Sequence, residues 1–174
     1  MPQLPTEAGN PRAAAAVTAY IGLGANLGDA RAVLRSARTS LEALPRTRLL
    51  DFSSLYRSAP VDSGGPDYLN AVAALHTGLE AHELLMLLQG IERLHGRERP
   101  YRNAPRTLDL DLLLFGDQCF DTPKLQVPHP RLHQRAFALL PLAEIAPDLQ
   151  VPGRARVGDL LAACAGQRVE RLST

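Results

Sequence analysis

The chain has 174 residues, 45% hydrophobic and 21% charged, with a formal net charge of +1. This is the size and composition of one ordinary globular domain, which excludes a disordered or fibrous chain and argues against a broad nucleic-acid footprint or a membrane-surface patch. No apolar run reaches the roughly 20 residues that span a bilayer, and Cys119 and Cys164 lack zinc-site spacing and read as free thiols.

Met1 to Val17 holds three prolines and the run Ala13–Ala16 but neither a basic nor a long apolar signal region. It is expected to be a disordered tail ahead of a single domain over 18–174, and cytoplasmic residence follows by default. From Thr18 a short apolar run closed by Gly22 and Gly24 reads as a buried strand. Asp29 is placed to cap a helix carrying Val33, Leu34, Ala37, Leu41 and Leu44, stopped by Pro45. Arg48–Ser58 and Tyr68–Thr77 read as strands joined by the turn-rich loop Val61–Pro66, a lid candidate.

Glu83–Leu94 repeats Leu84, Leu87, Leu88 and Ile91 at helical spacing, and a basic, irregular segment runs from His95 to Arg106. Leu108–Phe115 is apolar apart from two aspartates and reads as a central strand ending at Gly116. The order βαββαβ is that of a ferredoxin-like α+β unit. Beyond it, Leu125–Pro128 reads as a short edge strand, Phe137–Ile145 as a helix interrupted by Pro141, and Val157–Ala165 as a last helix.

Asp109 and Asp111 stand two apart on their strand, so both carboxylates project from one face, with Cα atoms about 6.6 Å apart. Two like charges at that distance repel by roughly 0.6 kcal/mol in water and about 2.5 kcal/mol at an effective dielectric of 20. A pair of Mg²⁺ ions fits such hard oxygens and suits phosphoryl transfer. The competing reading is an arginine salt bridge with the other aspartate solvated; the apolar flanks favour the metal site. Arg97, Arg99, Arg102 and Arg106 precede the strand and supply guanidinium groups for the phosphate charge that two Mg²⁺ leave uncompensated. Tyr68 and Asn70 share a strand face and could stack on and hydrogen-bond to a flat heterocycle, against the alternative of a core tyrosine beside a strand-end amide. His129 and Arg135 offer further phosphate donors. Gly22-Leu23-Gly24 with Gly28 misses the GxGxxG spacing and is discarded as a dinucleotide fingerprint, and no P-loop is present.

The run Arg102-Asn103-Ala104-Pro105-Arg106-Thr107-Leu108-Asp109-Leu110-Asp111-Leu112-Leu113 resembles the 6-hydroxymethyl-7,8-dihydropterin pyrophosphokinase family. Tyr20–Leu27, Pro66–Asn70 and Val127–His129 support the resemblance in the same order. It implies a ferredoxin-like core in a three-layer α/β/α arrangement with C-terminal additions. It also implies a reaction in which a pterin hydroxymethyl oxygen attacks the β-phosphorus of ATP and AMP leaves, a step of folate biosynthesis. Asp109 and Asp111 match the ligands of two Mg²⁺. Tyr68 and Phe137 match an aromatic pair around the pterin, with Ser58, Ala59, Val61 and Asn70 as its polar and backbone contacts. Gln89, Glu92, Arg99, Lys124, His129 and Arg135 fall on the ATP side, and Arg97 and Arg106 match catalytic arginines. The Val61–Pro66 and Arg97–Ala104 loops are expected to close over bound ATP and pterin, excluding water from the transfer. Departures are the absence of Trp before Pro105, where Tyr101 stands nearest, Lys124 in place of an arginine, and Gln126 and Pro130 on the nucleotide side. Small-molecule partners, no nucleic acid, no membrane and a monomer are expected. An RNA-binding module of the same topology would need surface aromatics and a basic sheet face where this chain has two aspartates in an aliphatic run.

Overall fold

In the computed structural model, which describes residues 15–61, 64–96 and 107–173, the first strand β1 (Val17–Ala25) starts on the last residue of the expected tail, one residue before the expected domain start at Thr18. Residues 1–14 lie outside the described residues. Alternation along β1 sends Ala19, Ile21, Leu23 and Ala25 into the core on one face and leaves Gly22 and Gly24 on the other. Asp29 caps α1 (Ala30–Glu42) as expected, its carboxylate accepting from the Ala32 N–H at 3.1 Å.

The expected strand Arg48–Ser58 is two strands, β2 (Thr47–Phe52) and β3 (Tyr56–Ser58). Leu50 is an extra residue in the register of β2 against the next strand, β4 (Tyr68–Thr77), and the chain bends after Phe52. Ser53 holds the bend: its N–H donates to the Val72 carbonyl and its hydroxyl accepts from the Val72 N–H, each at 2.9 Å. Helix α2 (Ala81–Leu94) begins two residues before the expected start, with the Glu83 carboxylate accepting from the Glu80 N–H at 3.0 Å. Strand β5 (Asp109–Phe115) closes the βαββαβ core.

Among the described residues all strand pairings are antiparallel, and the main sheet runs β5-β1-β4-β3-β8, with β2 also on β4. The last of these, β8 (Val169–Arg171), is a strand the sequence pattern does not announce. One face of the sheet packs on α1 and α2 around Ile21, Leu34, Leu75, Leu84 and Leu88. The opposite face carries α3 (Ala136–Ile145) and α4 (Val157–Ala162), packed around Val72, Leu114, Leu132, Leu139 and Leu142. The result is the expected ferredoxin-like α+β core in three layers. Helix α3 runs through Pro141 without a break, whereas α4 stops three residues short of the expected Ala165.

β5 lies at the sheet edge, not in its centre. Its apolar character has another source: α2 covers one face, and the small hairpin β6 (Phe120–Asp121) and β7 (Gln126–Val127) sits beside it. Leu113 is an extra residue in β5, since Leu114 pairs with Tyr20 and Leu112 with Ile21. The bulge puts Leu113 and Leu114 together in the α3/α4 layer, while Leu112 and Phe115 face α1 and α2.

Glu144 ties α3 to the sheet. It accepts from the Ser54 N–H at 3.0 Å, the Ser54 hydroxyl at 2.8 Å and the Tyr56 hydroxyl at 2.6 Å, with an Arg171 guanidinium nitrogen at 3.6 Å. No helix among the described residues is long and apolar enough to cross a membrane. Both cysteines are free, Cys119 exposed and Cys164 buried.

Candidate active site

On the sheet face away from α1 and α2, three strands bring their polar positions into rows. Asp109 of β5 lies opposite Gly24 of β1, which lies opposite Asn70 of β4; Asp111 lies opposite Gly22, which lies opposite Val72. Strand spacing of about 4.8 Å separates the carboxylate strand from the Tyr68/Asn70 strand by about 10 Å, with no side chain between them. The glycines therefore form the floor of a cavity of about 390 Å³. A Cβ on Gly24 would sit 3.6 Å from Asn70 Oδ1 and 3.9 Å from Tyr68 Cδ1, which shows that both side chains rise beside this floor.

Around the floor stand Ser58, Ala59 and Val61 from the end of β3, Tyr68 and Asn70 from β4, and Phe137 from α3. Asn70 is buried, and its amide donates to Ser58 Oγ at 2.8 Å and to the Tyr56 carbonyl at 3.4 Å. Its amide oxygen is thereby turned toward the floor, as an acceptor for a ligand N–H. The Arg135 guanidinium lies 5.5 Å from the Phe137 ring centroid, a cation–π contact that orders both groups at the rim.

The side facing the aspartates is a turn built from Val127 to Arg135. The bulge residue Leu113 accepts from the His129 N–H at 2.9 Å, which fastens the turn to β5. The Arg131 N–H donates to His129 Nδ1 at 3.2 Å, so in the neutral ring the proton resides on Nε2. Leu132, 1% exposed, plugs the turn into the core, and Gln167 clasps its far end, accepting from the Ala136 N–H at 2.9 Å and donating to the Gln134 carbonyl at 2.7 Å. Burial lowers the His129 pKa, Asp111 opposes that shift, and Arg135 and Arg131 add to it, so the net direction is downward. His129 thus meets the cavity chiefly as a neutral donor.

On the opposite side of β5, Glu92 of α2 is 3% exposed, and its carboxylate accepts from the Leu110 N–H at 2.8 Å. Leu110 lies between the two aspartates, so Glu92 pins the edge-strand backbone from which both carboxylates project.

Residues 20–147 match the family model described as 7,8-dihydro-6-hydroxymethylpterin-pyrophosphokinase. The chain belongs to this family. A Pseudomonas aeruginosa protein named 2-amino-4-hydroxy-6-hydroxymethyldihydropteridine pyrophosphokinase is 48% identical over 88% of this chain and 95% of its own length. A Haemophilus influenzae protein of the same name is 40% identical over 90% of this chain and 99% of its own. In structure, the chain is similar to the HPPK-DHPS chain of Plasmodium falciparum crystallised with STZ-DHP, with a TM-score of 0.69 at 14% identity over 85% of this chain and 45% of that one. At that identity the likeness speaks for the fold.

Of the site residues expected for a pyrophosphokinase, Ser58, Ala59, Val61, Tyr68, Asn70, Asp109, Asp111, His129, Arg135 and Phe137 line the one cavity. Gln89 is exposed on α2 and Lys124 is exposed between β6 and β7; neither is part of the cavity lining. Glu92 has the bracing place already described, not a position on the cavity wall, because it falls on the buried stripe of α2 with Leu84 and Leu88. Arg97, Arg99, Tyr101, Arg102 and Arg106 lie outside the described residues. Sequence reasoning missed the floor glycines and Arg131. Period-two alternation through Gly22 and Gly24 was the available signal, once β1 is placed between the carboxylate strand and the aromatic strand.

Proposed function

We propose that this chain transfers the pyrophosphoryl group of ATP to the hydroxymethyl oxygen of 6-hydroxymethyl-7,8-dihydropterin, releasing AMP, within folate biosynthesis. The observation that carries this reading is the pairing, across a bare glycine floor, of two same-face carboxylates with an aromatic and amide wall. One half suits a metal-bound phosphate chain, and the other a flat, hydrogen-bonding heterocycle. The names of the relatives supply the identity of the acceptor.

Among the described residues no group of three His, Cys, Asp or Glu could hold a metal by itself. That fits Mg²⁺, which typically takes one or two carboxylates and completes its shell with water and substrate phosphates. Asp109 and Asp111 would hold two Mg²⁺, whose charge would offset that of the triphosphate. Tyr68 and Phe137 hold the pterin ring, and Asn70 and the Ser58–Val61 segment read its polar edge. Gln89, Lys124, Arg99, His129 and Arg135 serve the nucleotide side, and Arg97 and Arg106 act on the transferring group. The alcohol oxygen forms its bond to the β-phosphorus as the bond to the α,β-bridging oxygen breaks, and the alcohol proton passes to solvent. Positioning and charge stabilisation supply the rate, with no dedicated general base. The enzyme works as a cytoplasmic monomer.

Incubation with ATP, Mg²⁺ and the pterin alcohol should yield AMP and the pterin pyrophosphate in equal amounts. Asp109→Ala and Asp111→Ala should each lower turnover at least about 100-fold, the scale of lost transition-state charge stabilisation, with circular dichroism unchanged. Inorganic phosphate as the sole product, or full activity in both variants, would overturn the reading.

A further inference from the structure

We propose that the Arg131 guanidinium is a phosphate-binding group of this cavity, taking the triphosphate of the nucleotide beside Arg135. The inference rests on the ATP reading above and adds a residue to it. Arg131 lines the same cavity as Asp109, Asp111, His129 and Arg135. Arg131, Arg135 and Asp111 each act electrostatically on His129, so these three charged groups of the lining stand near one imidazole.

Its backbone is held on a preorganised turn. The Arg131 N–H goes to His129 Nδ1 at 3.2 Å, and its carbonyl accepts from the Gln134 N–H at 3.0 Å. The neighbouring Leu132 is buried. No carboxylate among the described residues pairs with the Arg131 side chain, which is exposed. The guanidinium is thus delivered to the cavity mouth by a rigid backbone with its donors available.

Charge accounting gives it a task. Two aspartates, two Mg²⁺ and a triphosphate of about −4 sum to about −2, and Arg131 stands beside Arg135 on the cavity lining to meet part of that charge, together with the arginines assigned above to the transferring group. Arginine suits the remaining task, because its planar fork can donate to two phosphate oxygens at once.

Replacing the side chain leaves the backbone N–H that orients His129, so Arg131→Ala isolates the guanidinium. Calorimetric titration with Mg²⁺ and α,β-methylene-ATP, a nucleotide that cannot lose AMP, should show affinity about tenfold weaker in R131A than in wild type, the scale of one charge-assisted contact. R131K should recover part of the loss. The difference should shrink as salt rises. Affinity for the pterin alcohol should stay within twofold, and in turnover the loss should appear in KM for ATP while kcat stays within threefold. Analogue binding by R131A within twofold of wild type, or an equal loss for the pterin, overturns the assignment. A wild type that binds the analogue yet forms no AMP from ATP and pterin sinks the transfer reading alone, and the R131A comparison still decides the role of Arg131.

Discussion

Gly24→Ala separates what the floor does for function from what it does for stability, because the two effects have opposite signs. Gly24 has no positive φ, so alanine fits its backbone, and the new Cβ would meet Asn70 and Tyr68 at 3.6 and 3.9 Å, ordinary van der Waals distances. Glycine inside a strand costs roughly 0.5–1 kcal/mol relative to alanine. The variant should therefore gain up to that much stability, raising Tm by about 1–4 °C for a chain of this length. The methyl rises between the Asp109 strand and Asn70, where a planar ring has to lie. A displacement of about 1 Å from productive geometry costs on the order of 100-fold in rate, or about 2.7 kcal/mol. A thermal scan beside an AMP-release assay checks both halves. Unchanged kcat/KM, or a loss of activity that comes with a lower Tm, would refute the reasoning. Gly22→Ala is the comparator: its Cβ would sit 3.4 Å from the Leu113 side chain, a tighter fit that should forfeit the stability gain.

Glu92→Gln should keep an acceptor on the Leu110 N–H and retain most Mg²⁺-dependent turnover. Glu92→Leu should strand that buried donor and lose about 1–3 kcal/mol, read by urea unfolding; equal stability in both variants would count against the bracing role. Burial raises the Glu144 pKa, but hydrogen bonds from Tyr56 and Ser54 and the charge of Arg171 outweigh it and hold the carboxyl below its usual 4.5. Its contribution is therefore present above about pH 4.5 and lost as pH falls through the depressed folded value, and Glu144→Gln should flatten that part of the stability–pH curve. Burial and the Glu144 contact push Tyr56 up from 10.0 to about 12, so its contribution is present below pH 10 and lost between there and about pH 12; Tyr56→Phe should remove that alkaline slope.

Much of this architecture was legible because local rules and tertiary packing agree. The Asp29 cap, the apolar stripe of α2 and the alternation of β1 each announce one element and one buried face. The same alternation put Asp109 and Asp111 on a common face. Where reading failed, long-range covering replaced the local signal. β5 looks central because α2 covers one face and the β6/β7 hairpin sits beside it, although it is the edge of the sheet. β8 went unseen because an outer strand of three half-buried or exposed residues pairs through its backbone and needs no apolar pattern. β2 and β3 read as one strand because the Ser53 hydroxyl stands in for a ladder partner only when Val72 is known to lie opposite. The floor glycines carry no side-chain chemistry, so their value appears only beside the strands that flank them. Arg131 sits in a proline-rich turn whose rigidity depends on Leu113 and Gln167, both distant in sequence.

The extra residue in β5 has a meaning beyond a local kink. Counted back from Phe115, which faces α1 and α2, strict alternation would turn Asp111 and Asp109 toward the same helices and bury both charges in the apolar core. Leu113 shifts the phase of the strand by one step, much as a single inserted letter shifts a reading frame, and the carboxylates come out facing the cavity. The carbonyl of that same inserted residue then anchors the His129 turn. One out-of-step leucine therefore sets the direction of both acidic groups and fastens the basic turn that confronts them, so the two halves of the site's charge cannot drift apart independently.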